Sequence, residues 1–328
     1  MVRSGLWVLA IGFGLAVPVG VRAEVPDVVA SVKPIHSLVA GIMAGVSDPT
    51  LLVKGAAPPH SYALTPSDAA ALENADLVFW IGDGFELFLA KPLQTLSDES
   101  RVIELADTEG LVLLPLREGG LWEPDLDEHG EDVPADEHVK ADQGEQAEDE
   151  QSEHDAFDTH FWLDPRNAKL MAAKIASVLA ERDPEHAETY RANGDALQAK
   201  LDALDADLAA RLEPVKRVPF IVFHDAYQYV EKRYELAGVG SITVLPEQPP
   251  GAKRLQEIQE KIAANGARCV FREPNFEPAL VDTVIAGTPA RSGVLDPEGA
   301  SLNEGADLYF DLLRGIADSL KSCLAASS

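Results

Sequence analysis

Eight histidines punctuate the 328-residue sequence, at positions 36, 60, 129, 138, 154, 160, 186 and 224. Imidazole is the commonest metal ligand and changes charge near neutral pH. Taken singly, each of these residues reads equally well as a surface or satisfied core side chain. Their positions relative to the apolar runs separate them. His60 lies in the loop GAAPPHSYAL, which follows the run ending at Val53, and His224 comes directly after the run Val218 to Phe223. His160 opens the extended run Thr159 to Leu163, just ahead of Asp164-Pro165, and Asp296 follows a short run ending at Leu295. Ligands of open α/β sheets bind outside the carboxyl ends of the strands, so two facing lobes would bring all four residues into one cleft. Three imidazoles and a carboxylate suit a near-tetrahedral Zn²⁺ site, with nitrogens at about 2.0–2.1 Å. Manganese would draw more oxygen ligands, and softer metals would draw sulfur.

The elements that must hold these residues follow from periodicity. Val28 to Val32 reads as a buried strand, followed by a helix from Pro34 with Ile35, Leu38, Val39, Ile42 and Met43 on one face. Thr50 to Val53 is a short strand. Thr65-Pro66-Ser67-Asp68 is a helix start with an N-cap, Pro at N1 and an acid at N3. Asp76 to Ile81 is a strand. Asp164-Pro165 opens a helix to about Arg182. Asp183-Pro184 opens a longer one to Glu213, with Tyr190, Leu197, Leu201, Leu204, Leu208 and Leu212 as its stripe. At 1.5 Å per residue it would span about 45 Å, the length of a lobe-to-lobe backbone. Strands are then expected at 218–223, 268–272 and 293–295, with helices at 225–234, 255–265, 278–286 and 303–322. The alternation gives an α/β fold of two lobes, each a mostly parallel sheet flanked by helices, joined by the long helix. The expected division is 24–164, 165–213 and 214–328.

Between the lobes' elements, Glu118 to Asp158 holds 17 acids against the single base Lys140, with no sustained periodicity. It is expected to be a disordered loop. The chain as a whole carries −28, which argues against nucleic acid and anionic membranes as partners and for cations as attractants. Arg3, the apolar stretch Leu6 to Val17 and Val21-Arg22-Ala23 form a secretory signal with cleavage expected after Ala23. No cysteine adjoins that point, so no lipidation is expected there. In an exported chain the isolated pair Cys269 and Cys323 reads as a disulfide, worth roughly 4 kcal/mol. A two-thiolate metal site is the competing reading.

Six stretches carry a family resemblance: SVKPIHSLVAGIM at 31–43, GAAPPHSYALTPSDAAALENADLVFWIG at 55–82, THFWLDPRNAKLMA at 159–172, VFHDAYQYVEKRY at 222–234, CVFREPNFEPALV at 269–281 and VLDPEGA at 294–300. The chain resembles the zinc-specific, ZnuA-like solute-binding proteins of ABC transporters (the cluster A-I family). The resemblance implies metal ligation by His60, His160 and His224, with Asp296 at the family's C-terminal acidic position, and a disulfide in the C-terminal lobe. Some zinc members place a Glu before the first histidine where this chain has Pro59, so Asp296 or a water must complete the site, and Asp296 is favoured. Glu273 is read as a buried acid shaping the cleft, and His36 and His186 as structural and solvated. The family often carries a charged, His-rich insertion where His129, His138 and His154 fall, which implies weak extra metal binding there.

The resemblance implies a periplasmic, monomeric, non-enzymatic Zn²⁺ carrier serving a cognate ABC permease and its ATPase. A manganese or iron carrier of the same family is the nearest alternative. An exported zinc hydrolase is a more distant one, lacking an HExxH helix or a Ser/His/Asp arrangement. A metal-sequestering or adhesive surface protein, without a partner permease, is the third.

Overall fold

The computed structural model describes residues 25–96, 102–117, 122, 157–243 and 250–325. Its first sheet takes strands β1 (Val28–Ala30), β2 (Thr50–Leu51), β3 (Leu77–Trp80) and β4 (Val102–Glu104) in the order β2-β1-β3-β4, all parallel. The second repeats that plan with β5 (Phe220–Val222), β6 (Gly238–Ser241), β7 (Cys269–Arg272) and β8 (Arg291–Val294), ordered β6-β5-β7-β8. In each sheet the order reverses beside the first strand, which opens a crevice at the strands' carboxyl ends.

Helices cover both faces. In the first lobe these are α1 (Lys33–Met43), α2 (Pro66–Asn74) and α3 (Leu87–Gln94). In the second they are α6 (Gln228–Tyr234), α7 (Ala252–Asn265), α8 (Ala279–Ile285) and α9 (Leu308–Ala325). Between them run α4 (Pro165–Arg182) and α5 (Ala187–Leu212). The stripe of α5 is buried as expected, and the helix packs on α1 of the first lobe, on α4, and on α9 of the second. Gly194 lets α5 approach α4 closely, since a Cβ there would stand 2.7 Å from that of Ala176. One continuous apolar core runs from Val28 to Leu324 across both lobes, and each sheet has a smaller core on its other face.

Local signals explain several boundaries. Thr65 and Asp68 form the reciprocal cap of α2, with Pro66 at its start, and Asp164 accepts the N–H of Arg166 to cap α4. The long helix begins later than Pro184, because the Asp183 carboxylate accepts from the His186 backbone, the His186 ring and the Tyr190 hydroxyl. That local turn delays the helix to Ala187, leaving 26 residues, about 39 Å. Strands β4 and β6 and helix α3 were not anticipated. Cys269 and Cys323 form a disulfide that joins β7 to α9.

Two expectations need correction here. The run after His160 is a 3₁₀ turn, Phe161–Leu163, and not a strand, because it leads straight into the Asp164-Pro165 cap. The end of the acidic segment is also structured: Phe157 pairs antiparallel with Pro115, and Asp158 is buried. The proposed signal segment 1–23 and the histidines His129, His138 and His154 lie outside the described residues.

Candidate metal site

His60, His160 and His224 come together, with their candidate ligating nitrogens all within 4.8 Å of one another. His60 sits on the 3₁₀ turn Pro59–Ser61, which follows the loop after β2. His160 directly precedes its own 3₁₀ turn, and His224 follows β5 by two residues. The first two therefore belong to the first lobe and the third to the second. Ring centroids are separated by 5.2 Å (His160–His224), 5.5 Å (His60–His160) and 6.0 Å (His60–His224).

Two carboxylates orient two of the rings. The Nδ1–H of His160 donates to Asp158 Oδ1 at 2.8 Å, and that oxygen also accepts the His160 backbone N–H at 3.0 Å. The Nδ1–H of His224 donates to both oxygens of Glu273, at 2.7 and 2.8 Å. Such partners fix the tautomer and raise ligand basicity. With each Nδ1 protonated, the two Nε2 atoms present lone pairs to each other at 3.3 Å. Two nitrogens bound to one tetrahedral Zn²⁺ at about 2.05 Å stand roughly 3.3 Å apart. The Nε2 of His60 is buried with no hydrogen-bond partner, although the residue as a whole is partly exposed.

The electrostatics keep most of the cluster neutral. Burial, reinforced by the neighbouring imidazoles, holds the pKa values of His60 and His160 well below the usual histidine range. Burial also acts against protonation of His224, but the nearby carboxylates, Glu273 foremost with Glu298 and Asp225, together outweigh it and raise the pKa above the usual value. Burial pushes the Asp158 carboxyl up to about 7. Phe85 packs its ring at 4.6 Å from His60 and 5.6 Å from His160, and Trp162 stands 5.2 Å from His160, which encloses the site in apolar surface.

Asp296 lines the same crevice as His60 and His224 but is not in the cluster. Its Oδ1 accepts the backbone N–H groups of Glu298, Gly299 and Ala300, and its Oδ2 accepts from the N–H and hydroxyl of Ser301. These bonds shape the 296–302 turn. That turn meets the first lobe, where Lys33 Nζ donates to the carbonyls of Gly299, Ala300 and Leu302 and Trp162 Nε1 donates to Pro297 O. His36 is buried against the Pro49 carbonyl, and His186 is held by Asp183, both away from the cluster. Asp158 escaped sequence reasoning because it closes an acidic run. Its place two residues before a candidate ligand was the available signal.

Comparison with known proteins matches residues 28–323 to the family described as "Zinc-uptake complex component A periplasmic". The chain belongs to that family. Among its relatives, the high-affinity zinc uptake system protein ZnuA of Brucella suis is 51% identical over 92% of each chain. The ZnuA of Paracoccus denitrificans is 36% identical over 99% of this chain and 100% of its own. A crystal structure of ZnuA superposes with a TM-score of 0.73 at 26% identity, covering 92% of this chain and 100% of that one. A ZnuA with residues 138–173 deleted, solved with zinc bound, superposes with a TM-score of 0.71 at 25% identity over 93% of this chain and 100% of that one. Within the zinc-uptake family the fold is thus that of a two-lobed solute-binding protein.

Proposed function

We propose that this protein captures Zn²⁺ in the periplasm and hands it to an inner-membrane ABC permease driven by its ATPase. The observation that carries the reading is the 3.3 Å separation of the His160 and His224 Nε2 atoms, each aimed by a carboxylate on the opposite ring nitrogen. His60, His160 and His224 supply three neutral nitrogens, and zinc, as cargo, binds between the lobes. The fourth position belongs to an exogenous oxygen ligand, because Asp296 is committed to its own turn. A small cavity beside His60 and His224 is walled by Pro58, Pro274, Phe276 and Pro297 and by the polar side chains of Asn275, Asp296 and Glu298. That room accommodates a water as the fourth ligand.

Three clustered nitrogens, with no carboxylate in the cluster among the described residues, favour zinc over manganese. His129, His138 and His154, in the acidic segment, add weak sites that concentrate cations. An exported protein cleaved after Ala23 fits this role, and among the described residues no helix is long and apolar enough to cross a membrane. The carrier acts as a monomer, and the long α5 limits how far its lobes separate on release. The test is competitive titration of the mature protein with zinc and manganese, repeated after deleting residues 123–156. A single tight zinc site that survives the deletion and releases manganese is expected. Failure of zinc to displace manganese overturns the choice of metal, and loss of the tight site on deletion overturns the choice of ligands.

A further inference from the structure

His224 lies in the turn between β5, which ends at Val222, and α6, which begins at Gln228. Backbone bonds hold its two ends, with the Phe223 carbonyl accepting from Ile242 and Thr243 and the Tyr227 carbonyl from Glu231, while side-chain tethers reach its middle. Glu273 grips the His224 ring. The next residue, Asp225, is gripped from the other lobe. Arg117 ends the described run that follows β4, and its Nε donates to both Asp225 oxygens at 3.0 Å, with Nη2 also on Oδ1. Its Nη1 donates to Glu231 Oε2, in α6, at 2.5 Å, and the Trp122 ring lies 3.4 Å from the guanidinium carbon. All three charged side chains are largely buried, at 18%, 11% and 8% exposure for Arg117, Asp225 and Glu231.

The same strand of chain reaches the other orienting acid. The Tyr229 hydroxyl accepts from the Leu114 N–H at 3.0 Å and donates to the Asp158 carbonyl at 2.6 Å, and Gln228 donates to the Pro115 carbonyl at 3.1 Å. Segment 114–117 is thus fastened to the start of α6 and to the residue that aims His160.

We propose that Arg117 is a positioning residue for the metal site: it clamps the His224–Asp225 turn of the second lobe onto the first lobe and so sets the His160–His224 spacing that retains zinc. This rests on the zinc-binding reading above. A planar fork that engages two carboxylates at once is what the geometry uses, and a lysine ammonium cannot reproduce it. Loss of the fork frees the turn to pivot about Glu273, so the effect falls on the departure of zinc more than on its arrival.

The test uses the mature protein loaded with zinc, with dissociation followed by stopped-flow against excess chelator, and a parallel Co²⁺-loaded sample whose visible absorption reports coordination geometry. Arg117→Gln is expected to bind one zinc with dissociation at least tenfold faster and an altered Co²⁺ spectrum. Arg117→Lys is expected to lie between it and wild type, at threefold or more. Arg233→Gln, which breaks the ion pair between Arg233 on α6 and Asp205 on α5, serves as a control for mere destabilisation and is expected to leave both readouts at wild type. Wild-type dissociation and spectrum in folded Arg117→Gln overturn the proposal, as do equal changes in Arg233→Gln. If Arg117→Gln does not fold, wild-type dissociation in Arg117→Lys overturns it. A wild-type protein that binds no zinc at the three histidines overturns the underlying reading and this inference with it, a result distinct from the others.

Discussion

Replacing Glu273 by Gln removes the charge that aims His224 while keeping an oxygen able to accept its Nδ1–H. Both carboxylate oxygens lie within 2.8 Å of that nitrogen, and the acid is 3% exposed, so little solvent substitutes for the lost charge. Removing such a partner commonly lowers metal affinity about 10–100-fold, which corresponds to roughly 1.4–2.7 kcal/mol. The loss should depend on pH, with a definite sign. Glu273 favours any positive charge on the His224 ring, a proton as well as zinc, and it raises that pKa against the opposing effect of burial. At high pH the ring is neutral in both proteins and the full loss of zinc affinity appears. As pH falls, zinc must displace a proton from wild-type His224, whereas the Gln variant holds that proton more weakly. The deficit therefore shrinks toward low pH. Competition against a fluorescent zinc chelator at pH 8 and pH 6 measures both effects. Unchanged affinity at pH 8, or a deficit that grows at pH 6, would show that Glu273 does not aim His224 through its charge.

Glu86 is fully buried and accepts from Ser31 Oγ and the N–H groups of Ile81 and Gly82, yet burial pushes its pKa up to about 7 from 4.5. Between those values the folded protein holds a proton that the unfolded chain lacks, so this group's contribution to stability falls as pH rises through that window. Glu86→Gln should therefore gain on the order of 2–3 kcal/mol relative to wild type between pH 5 and pH 8, measured by urea unfolding of the metal-free protein. A constant difference would show that Glu86 titrates normally. Replacing both Cys269 and Cys323 by Ser opens a loop with a sequence separation of 54 and should cost about 4 kcal/mol of unfolding free energy. Because His224 follows β5 and the bridge joins β7 to α9, zinc stoichiometry should stay at one in calorimetry, and its loss would contradict that separation of roles.

The elements that position the site were legible wherever a local signal and a long apolar period agreed. Thr65 with Asp68, Asp164 with Pro165 and the leucines of α5 are such cases. The run after His160 was not, because three apolar residues carry too little period to separate a strand from a 3₁₀ turn. Asp296, the favoured fourth ligand with a water as the alternative, lies in the crevice, where its oxygens accept the N–H groups of the four residues Glu298 to Ser301. A position relative to a strand says where a carboxylate lies and not which donors reach it first. Asp158 was hidden the other way, as one acid among many in a charged run, and becomes distinct once Tyr229 and His160 close around it. Arg117 had no sequence signal, since the acids it joins lie more than 100 residues away.

X-ray absorption at the zinc edge of the singly loaded mature protein decides whether three imidazoles from two lobes, and no protein carboxylate, hold the ion. Four nitrogen or oxygen ligands at about 2.0–2.1 Å are expected, three of them showing the outer-shell carbon scattering of imidazole rings and the fourth, a solvent oxygen, showing none, with one imidazole lost in each of His60→Ala, His160→Ala and His224→Ala and none of the first shell changed in Asp296→Asn. Fewer than three imidazoles in wild type, or an oxygen ligand that disappears in Asp296→Asn, would contradict it.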